Sequence, residues 1–173
     1  MKLEVGKPHW LTVSAAAHRL TSELAALGFV VTKARPLRLV RKINDETEVF
    51  VYPGVRKRGT DILVDPVIGV ENTILRERLL AFDPRRKGAT RVCHAYLGLL
   101  ASWGRFYVRT ELELDDAASQ VAKAVVEIGL PIMSAYDTLD KVRELFREDL
   151  ARTNRVKVAV LFAQEKLRLI EVH

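Results

Sequence analysis

Residues 37–54 read LRLVRKINDETEVFVYPG, and this stretch decides the fold. A period of two puts Leu37, Leu39 and Ile43 on one side, with Arg38, Val40 and Lys42 on the other. Asn44-Asp45-Glu46 is turn chemistry, so Thr47 to Tyr52 is predicted to return as the second arm of a hairpin. Pro53-Gly54 ends that arm.

Upstream, Ser14 to Leu27 reads as an amphipathic helix with Ala17, Leu20, Leu24 and Leu27 on one stripe, stopped by Gly28. Downstream, Ile62, Val64, Ile68 and Val70 mark a third strand in which Pro66 signals an edge, a bulge or an early stop. Glu71 to Phe82 is predicted helical, and residues 83–88 read as an exposed loop. Arg91 to Leu100 and Arg105 to Leu112 have strand character, the second with Phe106, Val108 and Leu112 facing a core. Asp115 and Asp116 open a further helix, with Val121, Ala124, Val125 and Ile128 inward and Gly129 with Pro131 closing it. Asp137 is set to cap another helix carrying Leu139, Val142, Leu145 and Phe146 inward, and residues 155–165 lean towards helix. Strands in the middle and helices at both ends predict an α+β fold, a mostly antiparallel sheet of about five strands with helices packed on one face. The other face is then partly open to water.

The chain has 173 residues, 49% hydrophobic and 29% charged, enough to bury one core over residues 1–173 as a single globular domain. No stretch approaches the ~20 uncharged apolar residues of a membrane span, and residues 1–7 lack the order of a secretion signal. One cysteine, Cys93, excludes an internal disulfide framework, and the expected location is cytoplasmic.

Charge is the most informative feature for function. Residues 33–91 hold fourteen Lys or Arg and eight Asp or Glu, a balance of +6 that equals the total for the chain. Basic charge concentrated in one region favours an anionic partner there. On the strands the candidates are Arg35, Arg38, Arg41 and Lys42, joined across the sheet by Arg105, Tyr107 and Arg109. Guanidinium groups fork onto carboxylate or phosphate, and tyrosine supplies amphipathic contact area. Two basic triplets, Arg56-Lys57-Arg58 and Arg85-Arg86-Lys87, read as Gly-containing loops able to add charge at the end of the sheet. The competing account is a solvated face on which Asp61 and Asp65 neutralise the arginines as cross-strand pairs.

Catalytic patterns are thin. Arg85 to Thr90 shares features with a pyrophosphate loop of acyl-CoA-dependent transferases, but Thr90 stands where a small residue is needed and Arg91 onward reads as a strand. Asp61 and Asp65 are not followed by the acid-x-lysine of a metal-dependent nuclease. His9, His18, His94 and His173 are scattered, adjacent Cys93 and His94 point to opposite strand faces, and no metal or other cofactor is expected. Trp10 and Trp103 read as core residues.

The segments Ala25-Ala26-Leu27-Gly28-Phe29, Leu37 to Lys42, Val49 to Tyr52, Trp103 and Ile128-Gly129-Leu130-Pro131 together resemble a bacterial family, domain of unknown function 4304. The resemblance spans most of residues 14–146 and implies a small stand-alone domain of immunity or antitoxin type, with no catalytic residues carried over. The expectation is therefore a non-catalytic domain that binds an anionic macromolecule. An acidic protein is read ahead of nucleic acid, and an acyl-CoA-dependent transferase stands third.

Overall fold

The computed structural model describes residues 11–34, 36–82 and 91–152. Trp10, Arg35, the loop at 83–88 with its basic triplet, and the helix expected at 155–165 lie outside the described residues. In chain order the described elements begin with α1 (Val13–Ala26), β1 (Val30–Ala34), β2 (Leu37–Lys42), β3 (Thr47–Tyr52), β4 (Val55–Arg58), β5 (Asp61–Val64) and β6 (Val67–Asn72). They continue with α2 (Thr73–Phe82), β7 (Arg91–Tyr96), α3 (Leu97–Leu100), β8 (Phe106–Val108), α4 (Glu111–Ala124), a π-helical turn (Val125–Gly129), α5 (Leu130–Ser134) and α6 (Leu139–Arg152).

The central hairpin forms as read, with Leu39 opposite Val51 and Lys42 opposite Glu48. Asn44 Oδ1 closes the turn by accepting from the backbone N–H groups of Glu46 (2.9 Å) and Thr47 (2.8 Å). The fold is α+β. Its main sheet has five antiparallel strands in the order β1-β2-β3-β6-β7. A second, three-stranded sheet has the order β4-β5-β8.

The second sheet exists because the run from Ile62 to Val70 is two strands. Pro66 has no N–H to give to a ladder, and there the chain leaves one sheet for the other. The reverse crossing is at Gly54, whose φ of +64° is open to glycine. The two crossings touch: Asp65 N–H donates to the Gly54 carbonyl at 3.3 Å, and a Cβ on Gly54 would lie 2.0 Å from the Asp65 carbonyl oxygen.

One face of the main sheet carries Leu39, Val49, Val51, Ile68 and Val70 into a core shared with Ala16, Leu20 and Leu24 of α1, Val121 of α4, Val125, Met133 and Val142. Helix α1 therefore buries Ala16 where Ala17 was expected, the latter being only partly buried. It ends as its glycine demands: Gly28 at φ +83° lets Gly28 N–H reach the Ala25 carbonyl and Phe29 N–H the Leu24 carbonyl. The opposite face is not open at its centre, since Phe50 and Val40 are buried there and Phe50 packs over Gly69.

Several boundaries differ from the sequence reading. Glu71 and Asn72 finish β6, and Asn72 caps α2 by accepting from Leu75 N–H at 3.1 Å. The strand from Arg91 ends at Tyr96. Leu112 lies in α4, because Thr110 and Glu113 form a reciprocal capping box that starts the helix before Asp115. Leu112 is consequently 71% exposed. Gly129 does not end the helix: Leu130 N–H bonds to the Val125 carbonyl across the widened turn, and Pro131 sits at the start of α5, where no N–H is required. A Cβ on Gly129 would meet Ile68 Cδ1 at 2.5 Å, so this glycine serves close packing on the sheet. For α6, Thr138 caps in place of Asp137, whose carbonyl instead accepts from Asn44 Nδ2 (2.7 Å) and the buried Thr47 hydroxyl (2.8 Å).

Two substitutions test this framework by denaturant unfolding. Leu24→Ala is expected to remove about 2–5 kcal/mol of stability as a core truncation. Gly54→Ala is expected to remove about 1–3 kcal/mol through left-handed strain alone, and more as the Asp65 backbone is pushed away. Unchanged midpoints would show that neither packing nor crossing is as described.

Candidate functional site

The register of the small sheet builds one surface from three separate pieces of chain. Arg56 lies opposite Leu63, Leu63 opposite Tyr107, and Arg58 opposite Asp61. Alternation then brings Arg56, Arg58, Asp61, Leu63, Asp65, Arg105, Tyr107 and Arg109 to a common outer face, on which Leu63 and Asp65 are buried while Arg56, Arg58, Arg105, Tyr107 and Arg109 are exposed. The inner face carries Val55, Ile62, Val64, Phe106 and Val108 against the core.

Ion pairs on this face confirm the alternation. Arg109 grips Asp61 with two parallel bonds, Nε to Oδ1 at 2.8 Å and Nη2 to Oδ2 at 3.0 Å. Asp65 Oδ2 faces two cations, Arg105 Nε at 3.1 Å and Arg56 Nη2 at 3.6 Å. Asp65 is only 6% exposed, whereas the Arg56 and Arg105 side chains are 57% and 49% exposed. Tyr107 stands 54% exposed among them. Four arginines against two aspartates leave this face with a balance of +2. Exposed Arg58 has no ion pair within the described residues.

The neutralising account of Asp61 and Asp65 thus holds for Arg56, Arg105 and Arg109, although it leaves an excess of positive charge. Arg56-Lys57-Arg58 is a strand, not a loop, and Lys57 points away from its two neighbours. Arg38, Arg41 and Lys42 belong to the other sheet and do not join this surface. Arg38 is 14% exposed and bonds Glu71, 8% exposed, at 2.9 Å, while its guanidinium lies 5.4 Å from the centre of the Phe50 ring. Arg76 stands 3.8 Å from both Glu71 and Glu48. Arg41 Nη1 donates to the Leu27 carbonyl at 3.1 Å, satisfying the end of α1. Lys42 is exposed on the strand margin.

The face is bounded by acid. Helix α4 begins just beyond Arg109 with Glu111, Glu113, Asp115 and Asp116. Glu113 accepts from the backbone N–H groups of Arg109 (2.6 Å) and Thr110 (3.1 Å), which hold its carboxyl below the usual range. The Arg109 hydrogen bonds do the same for Asp61, helped by the Thr60 hydroxyl. Leu112, in the first turn of α4, is exposed.

Other chemistries find little support in geometry. Among the described residues no group of three His, Cys, Asp or Glu is placed to hold a metal ion. Cys93 packs against the core with its Sγ 3.8 Å from Met133 Sδ. Trp103 stacks on Phe106 at 4.4 Å. Among the described residues no helix is long and apolar enough to cross a membrane. Compared with known proteins, the chain matches no family model, no curated protein and no solved structure.

Two expectations separate structural from surface charges. Arg38→Gln should lower stability by roughly 3 kcal/mol, since a buried carboxylate loses its nearest partner, whereas Arg56→Gln should leave the unfolding midpoint nearly unchanged. Equal effects would contradict the assignment. The depressed carboxyls of Asp61 and Glu113 stabilise the fold fully above the ordinary carboxylate range and lose that contribution as pH falls through their folded values. An Asp61→Asn/Glu113→Gln variant should therefore show a shallower acid limb below about pH 4. An unaltered limb would remove both groups from the account.

Proposed function

We propose that this chain is a non-catalytic binding domain whose small-sheet outer face takes an acidic protein partner. One observation carries the reading: Arg56, Arg58, Arg105 and Arg109, from three stretches of chain, share one surface with exposed Tyr107 and a balance of +2 against Asp61 and Asp65. Arginine and tyrosine are the residues that dominate protein interfaces, because each combines a wide contact area with directed hydrogen bonds. The charge also attracts and orients a partner before contact.

The shape of the charge favours protein over nucleic acid. A duplex presents a continuous row of phosphates and rewards a long basic track. Here the positive patch is short, holds two aspartates, and runs into the start of α4, where Glu111, Glu113 and Asp116 stand beside an Asp115 paired with Arg19, so a rigid duplex laid across the face would meet like charge. Tyr107, exposed among the arginines, suits a folded surface carrying a few acidic side chains. The sequence resemblance implies the same setting, an immunity- or antitoxin-like role for this chain in the cytoplasm with the acidic protein as its partner.

Binding of poly-L-glutamate, followed by fluorescence anisotropy across a salt series, tests the proposal. The wild-type chain should bind with affinity that falls as salt rises, and Arg56→Gln/Arg58→Gln/Arg105→Gln/Arg109→Gln should weaken it by roughly tenfold or more, measured well below a melting temperature that falls because the buried Asp65 loses both partners. Tighter binding and a steeper salt slope with duplex DNA or RNA would overturn the protein reading, and equal binding by the variant would remove this face.

A further inference from the structure

The outer face contains one cluster in which two arginines meet a single carboxylate. Arg56 and Arg105 come from different strands, yet both approach a single oxygen, Oδ2 of Asp65. Two guanidinium ions brought this close repel each other, and the carboxylate between them offsets that repulsion while cancelling only one charge. The trio keeps a net +1. Asp65 is itself pinned, because its backbone N–H donates to Gly54 at the crossing between sheets and its side chain is almost wholly buried. Each guanidinium has five N–H donors, of which Asp65 approaches one, and the rest belong to side chains about half exposed.

We infer that Arg56, Arg105 and Asp65 form a subsite for a single carboxylate side chain of the partner, with Asp65 as the residue that positions the two arginines. The subsite rests on the reading of this face as the docking surface and narrows it to a ligand group. A carboxylate brings −1 to the trio's +1, as a phosphodiester does, whereas a phosphate monoester near pH 7 brings close to −2; the choice of carboxylate over phosphodiester follows from the reading of the face as a protein-docking surface. Geometry selects arginine: two planar forks, each reaching the same aspartate oxygen with one nitrogen, keep further N–H donors to offer a carboxylate in parallel pairs, which point charges on flexible stems cannot reproduce.

The variant Arg56→Lys/Arg105→Lys keeps every charge and removes the forks, and both side chains are exposed enough for the fold to tolerate it. Its affinity for poly-L-glutamate should fall at least about fivefold, close to that of Arg56→Gln/Arg105→Gln. Equal affinity for wild type and the lysine variant would overturn the subsite while leaving the wider face intact. Absence of any wild-type binding would instead defeat the reading of the face itself. Asp65→Asn gives a second, opposite-signed test: it adds one positive charge, so a diffuse field predicts tighter binding and the positioned fork predicts weaker. Inorganic polyphosphate binding more tightly than poly-L-glutamate, with the same loss in the lysine variant, would contradict the carboxylate assignment.

Discussion

Asp65 does two jobs at one place. Its backbone sits where the chain passes from the small sheet to the large one, in contact with Gly54 at the return crossing. Its carboxylate reaches the outer face and gathers Arg56 and Arg105. A buried carboxylate is strongly disfavoured unless paired, so the crossing and the arginines are coupled. The outer face is ordered because the junction is.

The same logic separates the two classes of cation in this protein. Arg38 and Arg41 are consumed by structure, one against Glu71 over the Phe50 ring of the main sheet and one at the end of α1. Neither has the exposure to meet a partner without losing what it holds. Arg56, Arg58, Arg105 and Arg109 stand on the surface within reach of a partner, and of these only Arg56 and Arg105 also hold a buried carboxylate, that of Asp65. High positive charge in residues 33–91 therefore arises from two unrelated needs.

The hairpin at 37–52, the α1 stripe with its Gly28 stop, and the α+β layout were legible because periodicity and turn chemistry agree there. Failures occurred where local signals compete. Pro66 marked a break in a strand, but nothing local indicates that the next strand joins a different sheet. Arg56-Lys57-Arg58 looked like a loop because charge outweighed the alternation that Val55 and Lys57 share with Ile62 and Val64. Gly129-Leu130-Pro131 looked like a stop, yet the glycine is required by contact with Ile68, distant in sequence. At the candidate site the opposition of Asp61 and Asp65 to the arginines was readable from alternation. Which arginines they engage, and that Arg38 turns to Glu71 instead, depended on sheet order.

Mapping the contact surface residue by residue reaches the central claim most directly. In a ¹⁵N-resolved NMR titration with a short glutamate-rich peptide, the account predicts shifts concentrated on Arg56, Arg58, Arg105, Tyr107 and Arg109, including the arginine Nε–H signals, with Arg38 and Arg41 unmoved. Shifts centred on the five-stranded sheet, or none at low salt, would contradict it.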